Sequence, residues 1–165
     1  MTRVFAIILL VSVVLSPCYG RLSESELALS QRYGPPKTRP AKGPYGSRAL
    51  TYSQDGWLVQ AWFINDRCHQ IKYSKIGAGR LSPEEVNLLL SSNGEGLSWK
   101  KEPIPLTVAH IILPSLSIVN YTRADGHVRC EKHSSMMVIR SGFWANEMDR
   151  DSKRKEEEKR KVPNF

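Results

Sequence analysis

The run from Gly56 to Lys75 constrains this chain more than any other stretch. Residues 56–64 are rich in aromatic and aliphatic side chains, with Trp57, Leu58, Val59, Trp62, Phe63 and Ile64. Asn65 and Asp66 follow, a pair that tolerates positive φ and suits a two-residue hairpin turn. Residues 67–74 then alternate apolar and polar. Such a turn pairs Ile64 with Arg67, Phe63 with Cys68 and Trp62 with His69. One face then carries Leu58, Gln60, Trp62, Ile64, His69, Ile71 and Tyr73. The other carries Trp57, Val59, Ala61, Phe63, Cys68, Gln70 and Lys72. Both faces of the first strand are largely apolar, so it is covered on both sides or offers one side as a binding surface.

A second hairpin signal sits at Asp125-Gly126. It puts Val119, Tyr121, Val128 and Cys130 on one face. Ile118, Asn120, Thr122, His127, Arg129, Glu131 and His133 fall on the other, which faces solvent. Residues 136–140 add a further strand. Two helices complete the pattern. In residues 22–34, Ser23 and Glu26 have capping-box spacing and Leu22 and Leu27 have staple spacing, with Gly34-Pro35-Pro36 as the stop. In residues 81–94, Ser82 is the cap, Pro83 takes the first helical position, Glu85 closes the box, and Val86, Leu89 and Leu90 form the apolar stripe. The chain therefore predicts an α+β fold, a mainly antiparallel sheet built from hairpins with two short helices. Residues 35–47 hold four Pro and two Gly and read as a loop. Residues 99–105 read as irregular. Residues 106–113 form a short apolar run between Pro105 and Pro114 that fits either helix or strand.

The two ends differ from the middle. Met1-Thr2-Arg3 is a short basic start, residues 4–15 are apolar apart from Ser12, and Cys18 and Gly20 put small residues three and one positions before Arg21. That is the pattern of a secretory signal peptide cleaved between Gly20 and Arg21. The apolar run is too short to span a bilayer, which takes about 20 residues. A lipid anchor at Cys18 is the alternative. At the other end, residues 147–161 carry seven basic and six acidic side chains in fifteen. With no apolar stripe they form a solvated helix or a disordered tail. The expected organisation is a signal peptide over 1–20, one domain over 21–146, and a charged tail over 147–165.

Export shapes the chemistry. The mature chain keeps Cys68 and Cys130, an even pair in a compartment where disulfides persist. Both fall on apolar faces, so they are either bonded to each other or buried as free thiols. The net charge of +8 points to anionic envelope components or an acidic protein partner, since exported chains rarely meet nucleic acid. His127, Cys130 and His133 invite a zinc site, but strand alternation turns the sulfur away from both rings. No metal, cofactor or catalytic residue is assigned. Cys68 and His69 point to opposite faces, and the sequence has no phosphate loop, nucleophile elbow or H-E-x-x-H. Glu84 and Glu85 suit a first helical turn through the macrodipole alone. Asn120-Tyr121-Thr122 matches a glycosylation acceptor. Trp57 and Trp62 serve the core rather than a sugar.

Several of these segments together resemble a known pattern. They are Ser23-Glu24 and Glu26, Arg32-Tyr33-Gly34-Pro35, the Trp/Phe strand, Cys68-His69 with Ile71 and Tyr73, and Leu81-Ser82 with Glu84-Glu85, Leu89-Leu90 and Trp99. Over residues 22–99 the chain resembles a group of small exported bacterial proteins. More distantly, a helix ending in Tyr-Gly before antiparallel strands is similar to BamE/SmpA-type envelope modules. The resemblance implies an α+β envelope module and supplies no catalytic residues. The first functional expectation is an exported, non-enzymatic interaction module of the periplasm or cell envelope. The alternative is a small secreted hydrolase or metal-dependent enzyme.

Overall fold

The computed structural model describes residues 21–38, 42–77, 79–103 and 118–161. The strands are β1 (Arg48–Gln54), β2 (Trp57–Ile64), β3 (Arg67–Lys75), β4 (Trp99–Lys101), β5 (Val119–Arg123), β6 (Val128–Lys132) and β7 (Met136–Ser141). The helices are α1 (Glu26–Tyr33), α2 (Pro83–Asn93) and α3 (Gly142–Lys161). Among the described residues the fold is α+β, with one antiparallel sheet of seven strands in the order β1-β2-β3-β7-β6-β5-β4. Two meanders meet where β7 pairs with β3.

The sheet has a core face and an outer face. On the core face Leu50, Tyr52, Val59, Ala61, Phe63, Ile71, Tyr73, Met137 and Ile139 are buried with Leu29 of α1 and Leu89 of α2. The outer face holds the first turn of α3. Trp144 and Ala145 are buried there, and Tyr45 meets Trp144 edge-on at 5.2 Å. On β2 the core-facing Val59, Ala61 and Phe63 are buried, while Leu58, Gln60, Trp62 and Ile64 of the outer face are only partly buried, so Trp62, expected to serve the core, lies on the opposite face.

The second helix forms as its residues dictate. Ser82 Oγ accepts from Glu85 N–H at 3.2 Å, and Ser82 N–H donates back to Glu85 Oε2 at 2.8 Å. Val86, Leu89 and Leu90 are buried. The first helix begins two residues later than its capping-box spacing implies. Ser25 is the cap and takes the N–H of Ala28 at 3.2 Å. Ser23 instead has φ +68° and donates its N–H to the Cys68 carbonyl at 2.8 Å, so it belongs to a tight turn. The staple fails as well, because Leu22 enters the core while Leu27 is 67% exposed.

The β2–β3 hairpin departs from an unbroken two-residue register. Ile64 pairs with Arg67 and Phe63 with Cys68, but Trp62 pairs with Gln70. His69 is the extra residue of a β-bulge, and the bulge reverses the faces beyond it. Ile71 and Tyr73 therefore join Val59, Ala61, Phe63 and Cys68 in the core instead of lying opposite them. The β5–β6 hairpin keeps its expected register, with Tyr121 opposite Cys130 and Thr122 opposite Arg129. Strand β1 was not anticipated. It turns into β2 through Asp55 and Gly56, at φ +50° and +80°. Residues 99–101, expected to be irregular, form a short edge strand with Lys100 and Lys101 exposed, a device that discourages edge-to-edge pairing. The apolar run 106–113 and the leader 1–20 lie outside the described residues. From Ser152 to Arg160 every side chain of α3 is exposed, and no helix is long and apolar enough to cross a membrane among the described residues.

Candidate functional site

Strand pairing on the outer face brings polar side chains into two cross-strand rows. In the first, Gln70 on β3 lies opposite Arg140 on β7, Arg140 opposite Arg129 on β6, Arg129 opposite Thr122 on β5, and Thr122 opposite Lys100 on β4. In the second, Lys72, Val138, Glu131 and Asn120 follow one another across the same strands. Paired residues share a face, so the rows stand side by side.

Two facing arginines repel unless carboxylates are interposed. Arg140 Nη1 meets Glu131 Oε1 at 2.6 Å, and Arg140 Nε donates to Gln70 Oε1 at 2.7 Å. Arg140 is therefore committed to structure. Among the described residues Arg129 Nη1 pairs only with Asp149 of α3, at 3.5 Å, and its side chain is 55% exposed. An open groove of about 430 Å³ runs beside it, lined by Glu102, Asn120, Thr122, Arg129 and Glu131 with the backbone of Tyr121 and Cys130. A smaller recess continues from Arg129 and Glu131 to Ala145, Met148 and Asp149 of α3. The seat can hydrogen-bond through an amide and a hydroxyl and can pair an anionic group with Arg129 and the exposed Lys100 beyond Thr122.

The residues singled out in the sequence are dispersed. His127 is exposed on the β5–β6 turn, where its N–H donates to Asp125 Oδ1 at 3.0 Å. His133 follows β6 with Nε2 3.9 Å from Glu131 Oε2, while Cys130 is buried in the core. No set of three His, Cys, Asp or Glu side chains is placed to hold a metal ion among the described residues. His69, projected from the bulge, has Nδ1 3.0 Å from Ser141 Oγ and its ring 5.2 Å from Phe143. Partial burial lowers its pKa, and Arg67 adds to the shift. The same Ser141 oxygen accepts from Trp144 N–H at 3.4 Å, which ties it to the start of α3. Glu85 is occupied by Ser82 and by Lys75 Nζ at 2.7 Å. Lys75 also lies 5.9 Å over the Trp57 ring.

Of the two alternatives for Cys68 and Cys130, the structure has the second, two free thiols and no bridge. Both are buried and both are free thiols. Cys130 lies opposite Ile139, and Ile139 lies opposite Ile71 on the strand of Cys68. Strand β7 thus stands between them, and two strand spacings are about 9–10 Å. That exceeds the roughly 7 Å Cα separation a disulfide can span. Burial pushes both thiol pKa values up, with Glu24 adding to the effect at Cys68 and Glu131 at Cys130.

The groove itself was missed in the sequence. Asn120, Thr122, Arg129 and Glu131 were placed on one solvated face, but nothing in β5 and β6 shows that Glu102, β7 and α3 will lie beside them. No protein-family model and no curated protein matches the chain. Among solved structures it is similar to a cysteine-rich secretory protein from Staphylococcus aureus, at 6% identity and TM-score 0.44 over 73% of this chain. The chain spans 44% of the length of that protein. It is also similar to a DUF4309 family protein from Bacillus subtilis, at 14% identity and TM-score 0.36, covering 71% of this chain and 78% of that one. Neither likeness is close enough to say what this chain does.

Proposed function

We propose that the chain is an exported, non-enzymatic interaction module that binds an acidic envelope component in the outer-face groove. The reading rests on one arrangement. Arg129 is a half-exposed arginine with a single long ion pair, beside the outward amide and hydroxyl of Asn120 and Thr122. A guanidinium so placed is ready to take a carboxylate or phosphate in paired hydrogen bonds. The leader pattern of residues 1–20 and the net charge of +8 support the setting. The resemblance of residues 22–99 to small exported bacterial proteins agrees with it.

The test is site-specific photocrosslinking in intact cells. A crosslinker at Glu102, which lines the groove, is expected to give a discrete adduct that disappears when Arg129→Glu is added. A crosslinker at the exposed turn residue Arg67 serves as control. Equal adducts at both positions, or an adduct indifferent to Arg129, would count against the groove. Protease digestion of the adduct separates a protein partner from a polymer.

A further inference from the structure

The first four residues after the expected cleavage point are tied down one by one. Arg21 N–H donates to Glu24 Oε2 at 3.2 Å. Leu22 is buried, and its N–H donates to Asn93 Oδ1 at 3.2 Å. Asn93 is itself buried at the end of α2 and donates to Tyr73 Oη at 3.2 Å and to the Leu89 carbonyl at 2.9 Å. Ser23 N–H reaches the Cys68 carbonyl at 2.8 Å, and Cys68 N–H returns to the Glu24 carbonyl at 2.9 Å. The other oxygen of Glu24 takes Arg32 Nη2 at 2.6 Å.

We infer that Glu24 is the seat of a free α-ammonium group on Arg21, so that leader removal completes the fold. The inference rests on the export reading. Hydrolysis of the Gly20–Arg21 peptide bond by a signal peptidase consumes one water. It leaves a carboxylate on Gly20 and an amine on Arg21, which takes up a proton. The nitrogen that donates to Glu24 then changes from a neutral amide with one hydrogen to a cation with three. Its contact with Glu24 becomes a charge-assisted bond, the stronger kind. Glu24 is then held between two cations, Arg21 and Arg32. The unprocessed chain has only the neutral amide there and docks its Arg21–Glu24 turn less firmly, which suits a chain that must stay unfolded until it is exported.

Among the described residues, the Arg21 and Arg32 guanidinium groups, Tyr33 on α1, and Cys68 and Tyr73 on β3 lie around the seat. Both Cys68 and Tyr73 feel the Glu24 charge, and burial together with that charge keeps them neutral. Asn93, facing from α2, is uncharged. The amine is therefore the group that titrates between pH 7 and 10. An ammonium that gains a carboxylate has a raised folded pKa, so its stabilisation is full below the ordinary value of about 7.7–8.0 and is lost as pH rises through the folded one.

The experiment compares the processed chain, recovered from outside the cytoplasm, with the same chain carrying Gly-Ser ahead of Arg21. Amino-terminal sequencing comes first and is expected to begin at Arg21. Melting curves are then taken from pH 7 to 10. The free-amine chain should lose about 2–4 °C more than the extended chain across that range, and Glu24→Gln should abolish the difference. The α-amino group should titrate above its ordinary range by NMR. A chain that begins elsewhere overturns the cleavage site and the seat with it. A chain that begins at Arg21, with parallel melting curves and an ordinary amine, overturns the seat alone.

Discussion

The two faces of one sheet contrast in what they bury. The core face is apolar and sealed, with Leu29, Leu50, Tyr52, Ala61, Ile71, Leu89, Met137 and Ile139 fully buried. The outer face buries Trp144, Ala145 and Val138 where α3 starts, and is polar from Gln70 across to Thr122. Burial of apolar area supplies the stability, at roughly 25 cal/mol per Å², so most of it comes from the core face. The outer face is then free to carry charges whose interactions are individually small. Substitutions on the two faces should therefore differ in kind.

The largest effect is expected at the centre of the sealed face. Ile139→Ala removes buried methyl groups between β3 and β6 and should cost about 2–5 kcal/mol in urea unfolding. A loss under about 1 kcal/mol would mean the core is looser than described. Trp144 tests whether the apolar patch of the outer face also matters. Ending the chain after Gly142 removes Trp144 and should cost about 3 kcal/mol or more. Ending it after Asp151 removes only exposed side chains among the described residues and should move the melting temperature by no more than about 2 °C. If both truncations behave alike, α3 is not divided as described.

A third prediction concerns the edge of the core face. Arg123 is nearly buried and holds Asp125 through Nε and Nη2, at 3.1 and 2.7 Å, while Nη1 meets Glu95 at 3.0 Å. The Arg123 hydrogen bonds hold the Asp125 carboxyl down at about 2. A depressed carboxylate stabilises the fold above its unfolded pKa of about 3.9 and loses that contribution as pH falls toward 2. Asp125→Asn should flatten the dependence of the urea midpoint on pH between 4 and 2. An unchanged slope would show that the pair contributes nothing. The smallest effect is expected at the thiols. At pH 8 the native protein should react with a thiol reagent at least tenfold more slowly than the unfolded chain, which should show two thiols once the leader is removed. No reactive thiol after unfolding would restore the disulfide.

The contrast also governs how much could be read in advance. Helix α2 was legible because its signals are local, from Ser82 and Glu85 to the Val86, Leu89 and Leu90 stripe. The β5–β6 register was legible because an Asp-Gly turn fixes it and no bulge follows. The β2–β3 register was legible only as far as Cys68. The bulge at His69 is chosen by the core, which takes Ile71 and Tyr73, and turn residues cannot announce it. Strand β1 was overlooked although Asp55-Gly56 is as strong a turn signal as Asp125-Gly126. Ser23 was read as the cap from its spacing to Glu26, because the turn that Cys68 and Asn93 hold there leaves no local trace. The groove is the extreme case, since its neighbours come from four strands and a helix.

The most direct measurement takes stability and binding from the same protein. The Asn120→Ala/Arg129→Ala double variant, with the crosslinker at Glu102, removes the polar seat while leaving the sealed face untouched. The account predicts a urea unfolding free energy within about 0.5 kcal/mol of the parent and loss of the Glu102 adduct in cells. A fall as large as that of Ile139→Ala, with the adduct retained, would contradict it.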